Sequence, residues 1–222
     1  MKARKILASC LLVAGITTGG WATNELFISD IHAHNANETL VAEVEQQFTA
    51  PVEARAVSEP TSRDKNGGMT AKKSTDSRAY AILEAEKLGK LPVVQGVLDD
   101  YEANQNFINE GLVVRYQSTN EIGDRPGNTA LIAHRLTHGS VFKQVPDMKL
   151  GEKLTLTTAD GIYEYKVIKE SYRSEATDNT PLYAPLGVDA DKDDKTLLTL
   201  ITCGNWLTNH REIVVLELVK SP

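Results

Sequence analysis

The apolar positions of the chain follow three successive patterns. From Ile6 to Ile16 they run almost unbroken behind Lys2, Arg4 and Lys5. A basic start followed by an 11-residue apolar run reads as a secretory signal segment. The run continues to Ile28, diluted by Thr17, Thr18, Gly19 and Gly20 and interrupted by Glu25. Gly20-Trp21-Ala22 makes a poor cleavage site, because a tryptophan separates the two small residues. Residues 1–28 are therefore read as a signal-anchor of marginal length in preference to a cleaved signal peptide. The basic end then stays cytoplasmic and the rest of the chain is extracytoplasmic.

Residues 29–77 carry no sustained period. Leu40, Val41, Val44 and Phe48 stand at helical spacing and predict a short helix from Glu38 to Phe48. Beyond it Pro51, Pro60, Gly67 and Gly68 break any pattern, and polar residues dominate up to Ser77. The segment reads as an extracytoplasmic linker. His32 and His34 lie in it without further ligands nearby and read as solvated, and Asn37-Glu38-Thr39 fits a glycosylation sequon.

From Arg78 short apolar runs recur. Residues 79–88 have a helix-forming composition but alternate like a strand. Asp99 is a candidate cap for a helix through Phe107 and Ile108, and Leu112–Tyr116 and Thr129–Ala133 are strand candidates separated by a Gly- and Pro-containing loop over 120–128. Leu154–Thr158 and Ile162–Ile168 flank Asp160-Gly161, a hairpin signal. Ser171–Lys195 is a long polar loop with room for a turn of helix, and Thr196–Cys203 and Ile213–Val219 close the chain as strands. Residues 78–222 thus predict a mostly β domain, a small barrel or sandwich.

Net charge narrows the partners. The formal charge is −6, with 8 Lys/Arg against 9 Asp/Glu in residues 1–77 and 16 against 21 beyond, so neither part offers a basic surface to nucleic-acid phosphates. Two cysteines exclude a disulfide framework and a four-thiolate zinc site. Cys10 lies in the apolar segment and reads as a small apolar residue there.

Cys203, the other cysteine, ends a strand before Gly204-Asn205, where a side chain is presented to a cleft. A buried strand-end cysteine is the plain reading and a nucleophile is the chemical one. An ordinary thiol has a pKa of about 8.5 and needs a cationic neighbour to ionise near neutrality. His134 ends an apolar strand and is followed by Arg135, whereas His138 and His210 stand in polar stretches and read as solvated. Arg211 opens the last strand eight residues after Cys203, so a short loop returns it beside the cysteine. It is either an edge charge or a donor to a developing oxyanion.

These residues resemble a known family. Thr199-Leu200-Ile201-Thr202-Cys203 fits the TLxTC signature of the sortases, membrane-tethered cysteine transpeptidases of the bacterial cell surface. Leu91-Pro92-Val93-Val94-Gln95-Gly96 resembles their early LPV-x-x-G strand, and Gly127-Asn128-Thr129 through His134-Arg135 resembles the stretch carrying the catalytic histidine. Gly139–Phe142 and Leu150-Gly151-Glu152 resemble the segment after it. The resemblance spans roughly 79–219 and implies a closed β-barrel with short peripheral helices.

It also implies a mechanism. Cys203 attacks the Thr–Gly carbonyl of an LPxTG-like sorting signal, His134 handles the protons, and Arg211 orients the substrate and stabilises the oxyanion. Thr202 and Ala133, beside the nucleophile and the histidine, are expected in the substrate pocket. The implied partners are surface proteins with a C-terminal sorting signal and an amine acceptor from the peptidoglycan precursor or a pilin. No metal or organic cofactor is implied. Asp189, Asp191, Asp193 and Asp194 lack the Gly and terminal Glu of an EF-hand loop, so they read as a solvated loop in preference to a calcium site.

The chain departs from the family in three places. Ala133 replaces the usual glycine, the Cys203–Arg211 loop is short, and no Asp-Pro dipeptide of the kind found in pilus-type lids occurs. Two other readings stand beside the transpeptidase: a cysteine hydrolase with the same three residues, and a membrane-tethered domain that binds peptide or glycan with an inert cysteine. The anchor reading makes its own prediction. Intact-mass measurement on native protein should find the first residues retained, and a species lacking the first twenty-odd would rule the anchor out.

Overall fold

The computed structural model describes residues 30–49, 79–97, 101–188, 190–204 and 209–222. The expected anchor over 1–28, the linker beyond Thr49, Asp99 and Asp189 lie outside the described residues. Among the described residues no helix is long and apolar enough to cross a membrane.

Eight strands close into a barrel: β1 (Ala79–Ala85), β2 (Gly89–Gln95), β3 (Val113–Arg115), β4 (Gly127–Ile132), β5 (Lys153–Thr158), β6 (Gly161–Glu175), β7 (Thr196–Cys203) and β8 (His210–Lys220). Around the barrel the order is β1-β2-β3-β4-β7-β8-β6-β5. β2–β3 and β4–β7 pair in parallel and every other neighbour is antiparallel. The helices are α1 (30–49), α2 (Tyr101–Asn109) and the short α3 (Thr180–Tyr183) and α4 (Ala190–Asp193). The mostly β closed barrel expected from the sequence is what forms.

The strand pleat explains which residues fill it. Leu131, Leu198, Leu200, Val214 and Leu216 point into the barrel with Leu83, Val93, Leu154, Leu156 and Phe142. The alternate positions Ala130, Leu197, Ile201, Ile213 and Val215 form a second cluster outside it, covered by Leu182 and Val188 of the β6–β7 connection. A third cluster lies outside β1, β2 and β3, where Ile82, Val94 and Val114 meet α1 and α2. In residues 79–88 the strand-like alternation prevails over the helix-forming composition, because β1 is packed between β2 and β5. Elsewhere the expected elements shift by a few residues. β6 differs most: it runs to Glu175, well past Ile168, because its far half pairs with β8 from Tyr172↔Ile213 to Glu175↔His210.

α1 corrects the expected linker. Residues 30–49 are one helix, longer than the predicted Glu38–Phe48, and it is docked on the barrel. Ala33, Asn37, Val41 and Val44 are buried at helical spacing, with Leu40 and Phe48 packed beside them. His34 pairs with Glu38 on the exposed face at 3.2 Å. Asn37 of the sequon is only 3% exposed and its Nδ2 donates to the Gly111 carbonyl at 2.9 Å, so its amide is committed to the fold.

One buried charge ties the front of the barrel together. Arg115 is 2% exposed and donates to Gln95 Oε1 at 2.9 Å, to the carbonyls of Thr119 at 2.7 Å and Asn120 at 2.9 Å, and to Glu121. Those carbonyls belong to the loop that feeds β4. Arg115→Met removes a buried charged donor from part-buried acceptors, and hydrogen bonds to a charged group contribute about 1.5–3 kcal/mol each. The variant should lose more than about 2 kcal/mol of stability by urea titration. A loss within about 0.5 kcal/mol would show that the loop satisfies itself.

Candidate active site

Three adjacent strands bring Cys203, His134 and Arg211 together. β7 lies between β4 and β8. In the parallel pair Ile132 stands beside Ile201, so His134 and Cys203, each two residues on, leave their strands at the same level. In the antiparallel pair Cys203 stands directly opposite Arg211. Neighbouring strands lie about 4.8 Å apart, so this register alone puts the three residues within side-chain reach. The pleat also gives them one face. Cys203 follows Leu197 and Ile201, His134 follows Ala130 and Ile132, and Arg211 precedes Ile213 and Val215, all on the outer side of the barrel wall. Cys203 is exposed, the one residue of β7 that is, and it is a free thiol. The plain reading of a buried strand-end cysteine is thereby excluded.

His134 is held on two sides. Its Nε2 lies 2.8 Å from Oδ1 of Asn109, the last residue of α2. A carboxamide oxygen only accepts, and with Nε2 donating to it Nδ1 is the nitrogen left to exchange a proton. Its ring also stacks on His138 with centroids 5.0 Å apart and planes inclined by 23°. Burial, helped by the charge of His138, pushes the His134 pKa below its ordinary 6.5. His138, read from sequence as solvated, is half-buried, and its Nδ1 has no hydrogen-bond partner among the described residues. Its backbone is left-handed, at φ 50°.

Both arginines are anchored. Arg211 Nη1 donates to the Asp178 carbonyl at 3.3 Å, just past the end of β6. The Asp178 carboxylate accepts from Thr180 N at 2.9 Å and Ser174 Oγ at 2.7 Å, which with Arg211 nearby holds its pKa below the usual carboxylate value. Arg135 donates to the Gly204 carbonyl, immediately after the cysteine, so it links the ends of β4 and β7 and is no idle neighbour.

Thr202 and Ala133, expected in the substrate pocket, have another place. Each is 2% exposed, and Thr202 Oγ1 donates to the Ala133 carbonyl at 2.8 Å. Ala133 turns its methyl into the barrel core, and its φ is not left-handed, so replacing the family glycine causes no strain. The pair pins the strand ends together behind the site. Among the described residues no three of His, Cys, Asp or Glu are placed to share a metal ion.

Sequence reasoning did not find Asn109, His138 or Asp178. Asn109 carries no motif, and only the docking of α2 brings it to the histidine. His138 had a signal, a second imidazole four residues after the first, but its surroundings suggested solvent.

Comparison with known proteins places this geometry. The family model for the sortase domain matches residues 83–219. Sortase D of Bacillus subtilis is 24% identical over 199 residues, covering 89% of this chain and 83% of that protein. Among solved structures, the sortase D5 transpeptidase of Clostridium perfringens superposes with a TM-score of 0.57 at 19% identity, covering 84% of this chain and 99% of that one. Sortase E1 of Streptomyces coelicolor, solved with a tripeptide in its active site, gives 0.54 at 23% identity over 64% and 89% of the two chains.

The stacked histidines generate a pH prediction. A cationic His138 disfavours a proton on His134, so His138→Asn, which tolerates the left-handed backbone, should raise the His134 pKa. NMR titration of the His134 ring should follow that upward shift, and an unchanged midpoint would leave burial as the whole cause. The stability sign is also fixed. Folding depresses this pKa, so between the folded value and 6.5 the unfolded chain binds more protons, and stability falls as pH falls through that window.

Proposed function

The chain belongs to the sortase family, the transpeptidases of the bacterial cell surface, and on that premise we propose that Cys203, His134 and Arg211 are its catalytic residues. The observation that carries this reading is the common level of three neighbouring strand ends, with an exposed thiol in the middle.

The proposed reaction follows from that arrangement. His134 takes the proton of Cys203, and the thiolate attacks the Thr–Gly carbonyl of an LPxTG-like sorting signal. Charge develops on the carbonyl oxygen, where the Arg211 guanidinium, paired opposite Cys203, stabilises it. As the C–N bond breaks, the imidazolium protonates the departing glycine amine and a thioester to Cys203 remains. An amine acceptor of the cell wall or of another surface protein then attacks that thioester. His134 removes the acceptor's proton, and Cys203 leaves as thiolate and is reprotonated. The substrate is a surface protein with a C-terminal sorting signal. A tripeptide in the active site of the related sortase E1 supports a peptide substrate of this kind. The chemistry requires no metal or organic cofactor. Residues 1–28 serve as a single-pass anchor, with the catalytic domain outside the cell membrane.

Fixed chemistry at three residues gives a graded expectation. The chain, incubated with an L-x-x-T-G peptide library and a panel of amines, should form amine-linked products detectable by mass, with a thioester trapped on Cys203. Cys203→Ala should abolish transfer while the barrel stays folded, and wild-type turnover in that variant would sink the assignment. Arg211→Ala should lose about 10²–10³ in rate, the usual cost of one oxyanion donor. Arg211→Lys should recover only part of that, because an ammonium lacks the planar fork of donors. Products carrying water in place of every amine offered would make the enzyme a hydrolase instead.

A further inference from the structure

The region behind His134 is built from three residues with almost no side chain. Ala33 of α1, Gly111 after α2 and Gly139 in the loop after His134 converge on one point. A Cβ added to Gly111 would stand 2.7 Å from the Ala33 methyl and 2.9 Å from the His138 carbonyl oxygen. One added to Gly139 would stand 2.9 Å from the same methyl. Both glycines have left-handed backbones, at φ 83° and 84°, so larger residues there are excluded by strain as well as by space.

Two hydrogen bonds fix α1 to the same turns. Asp30 Oδ1 accepts from the Gly139 N–H at 2.7 Å, and Asn37 Nδ2 donates to the Gly111 carbonyl at 2.9 Å. Gly111 ends the segment that carries Asn109, its N–H returning to the Ile108 carbonyl at 3.0 Å. Gly139 sits in the loop that starts at His134 and is closed by the Phe142 N–H donating to the His134 carbonyl at 3.0 Å. The Asn109–His134 bond therefore joins two pieces of chain that α1 touches simultaneously, through residues outside the 83–219 sortase match.

We propose that α1 is a clamp on the histidine, in which Asp30, Ala33 and Asn37 hold the end of α2 against the 134–142 loop so that Asn109 grips His134. The clamp rests on the reading of His134 as proton-transfer partner of Cys203. These are positioning residues, since none touches the thiol. Small misplacements of a reacting group far exceed their structural size in rate, with about 1 Å costing up to 10²-fold.

The experiment uses the full chain and two readouts, turnover and the pH dependence of Cys203 alkylation by iodoacetamide. His134→Ala sets the alkylation profile of a thiol without its imidazole. Ala33→Leu, which forces the three segments apart, should lower kcat by about tenfold to a hundredfold with KM hardly changed, and its alkylation profile should approach that of His134→Ala. Ala33→Ser should retain wild-type behaviour. Asp30→Ala should show a smaller loss that Asp30→Asn restores, because a carboxamide oxygen accepts the same bond. A folded Ala33→Leu protein with wild-type kcat and alkylation profile overturns the clamp. Should that variant not fold, Asp30→Ala decides: a wild-type profile overturns the clamp, and a loss restored by Asp30→Asn supports it. If His134→Ala itself alkylates like wild type, the pairing of His134 with Cys203 is what fails, and the clamp falls with it.

Discussion

Parallel strands share a register that no turn imposes, and β4 and β7 are paired this way over six residues, from Gly127↔Thr196 to Ile132↔Ile201. Everything in the site depends on that alignment. A slip of one residue would turn either Cys203 or His134 to the other face of the wall. Two polar pins oppose such a slip. Thr199 Oγ1 donates to Asn128 Oδ1 at 2.8 Å on the outer face, and Asn128 Nδ2 donates onward to the Leu182 carbonyl at 2.8 Å. Thr202 Oγ1 donates to the Ala133 carbonyl at the very end of the pair. Each group is buried, so breaking either bond leaves polar atoms without water to replace it. The Arg135 bond to Gly204 adds a third tie just beyond the strands.

The same wall separates stability from chemistry. Inward residues of β4, β7 and β8 fill a continuous apolar core, and outward residues fill a second cluster that ends at the exposed cysteine. Cys203 therefore ends a strand buried on both faces, at the one position of that strand that is exposed. His134 occupies an intermediate place. It is buried enough for its proton affinity to fall, while its Nε2 stays committed to Asn109. A histidine whose one nitrogen is fixed presents the other in a defined direction, as the proposed proton transfers require.

Membership of the sortase family accounts for the barrel and the strand-borne residues, which lie within the matched 83–219. The surrounding support is less uniform. Arg211 is steadied by the backbone after β6, His134 by the end of α2, and α2 in turn by α1. α1 and α2 are held to the barrel by a shared apolar cluster as well as by these hydrogen bonds, so the surroundings of His134 are set by packing outside the strands. A catalytic fragment beginning at β1 would lack α1 and with it the contacts at Gly111 and Gly139.

The sequence by itself determined the class of fold and the family, because both are written locally. Thr196–Cys203 is strand by composition, Asp160-Gly161 marks its hairpin, and TLxTC with an upstream His-Arg and a downstream Arg is a short, ordered signal. What tertiary structure decided were the contacts between segments distant in the chain. Asn109 reaches His134 across 25 positions and Asp30 reaches Gly139 across 109, and no local pattern distinguishes that asparagine or that aspartate from a solvated one. The docking of α1 was equally hidden. Ala33 and Asn37 look like linker residues until two glycine turns close around them, since a small side chain gains its meaning only from the space it leaves. Thr202 and Ala133 show the complementary effect: the neighbour of Cys203 or His134 along its strand lies on the opposite face, and the pleat buries it.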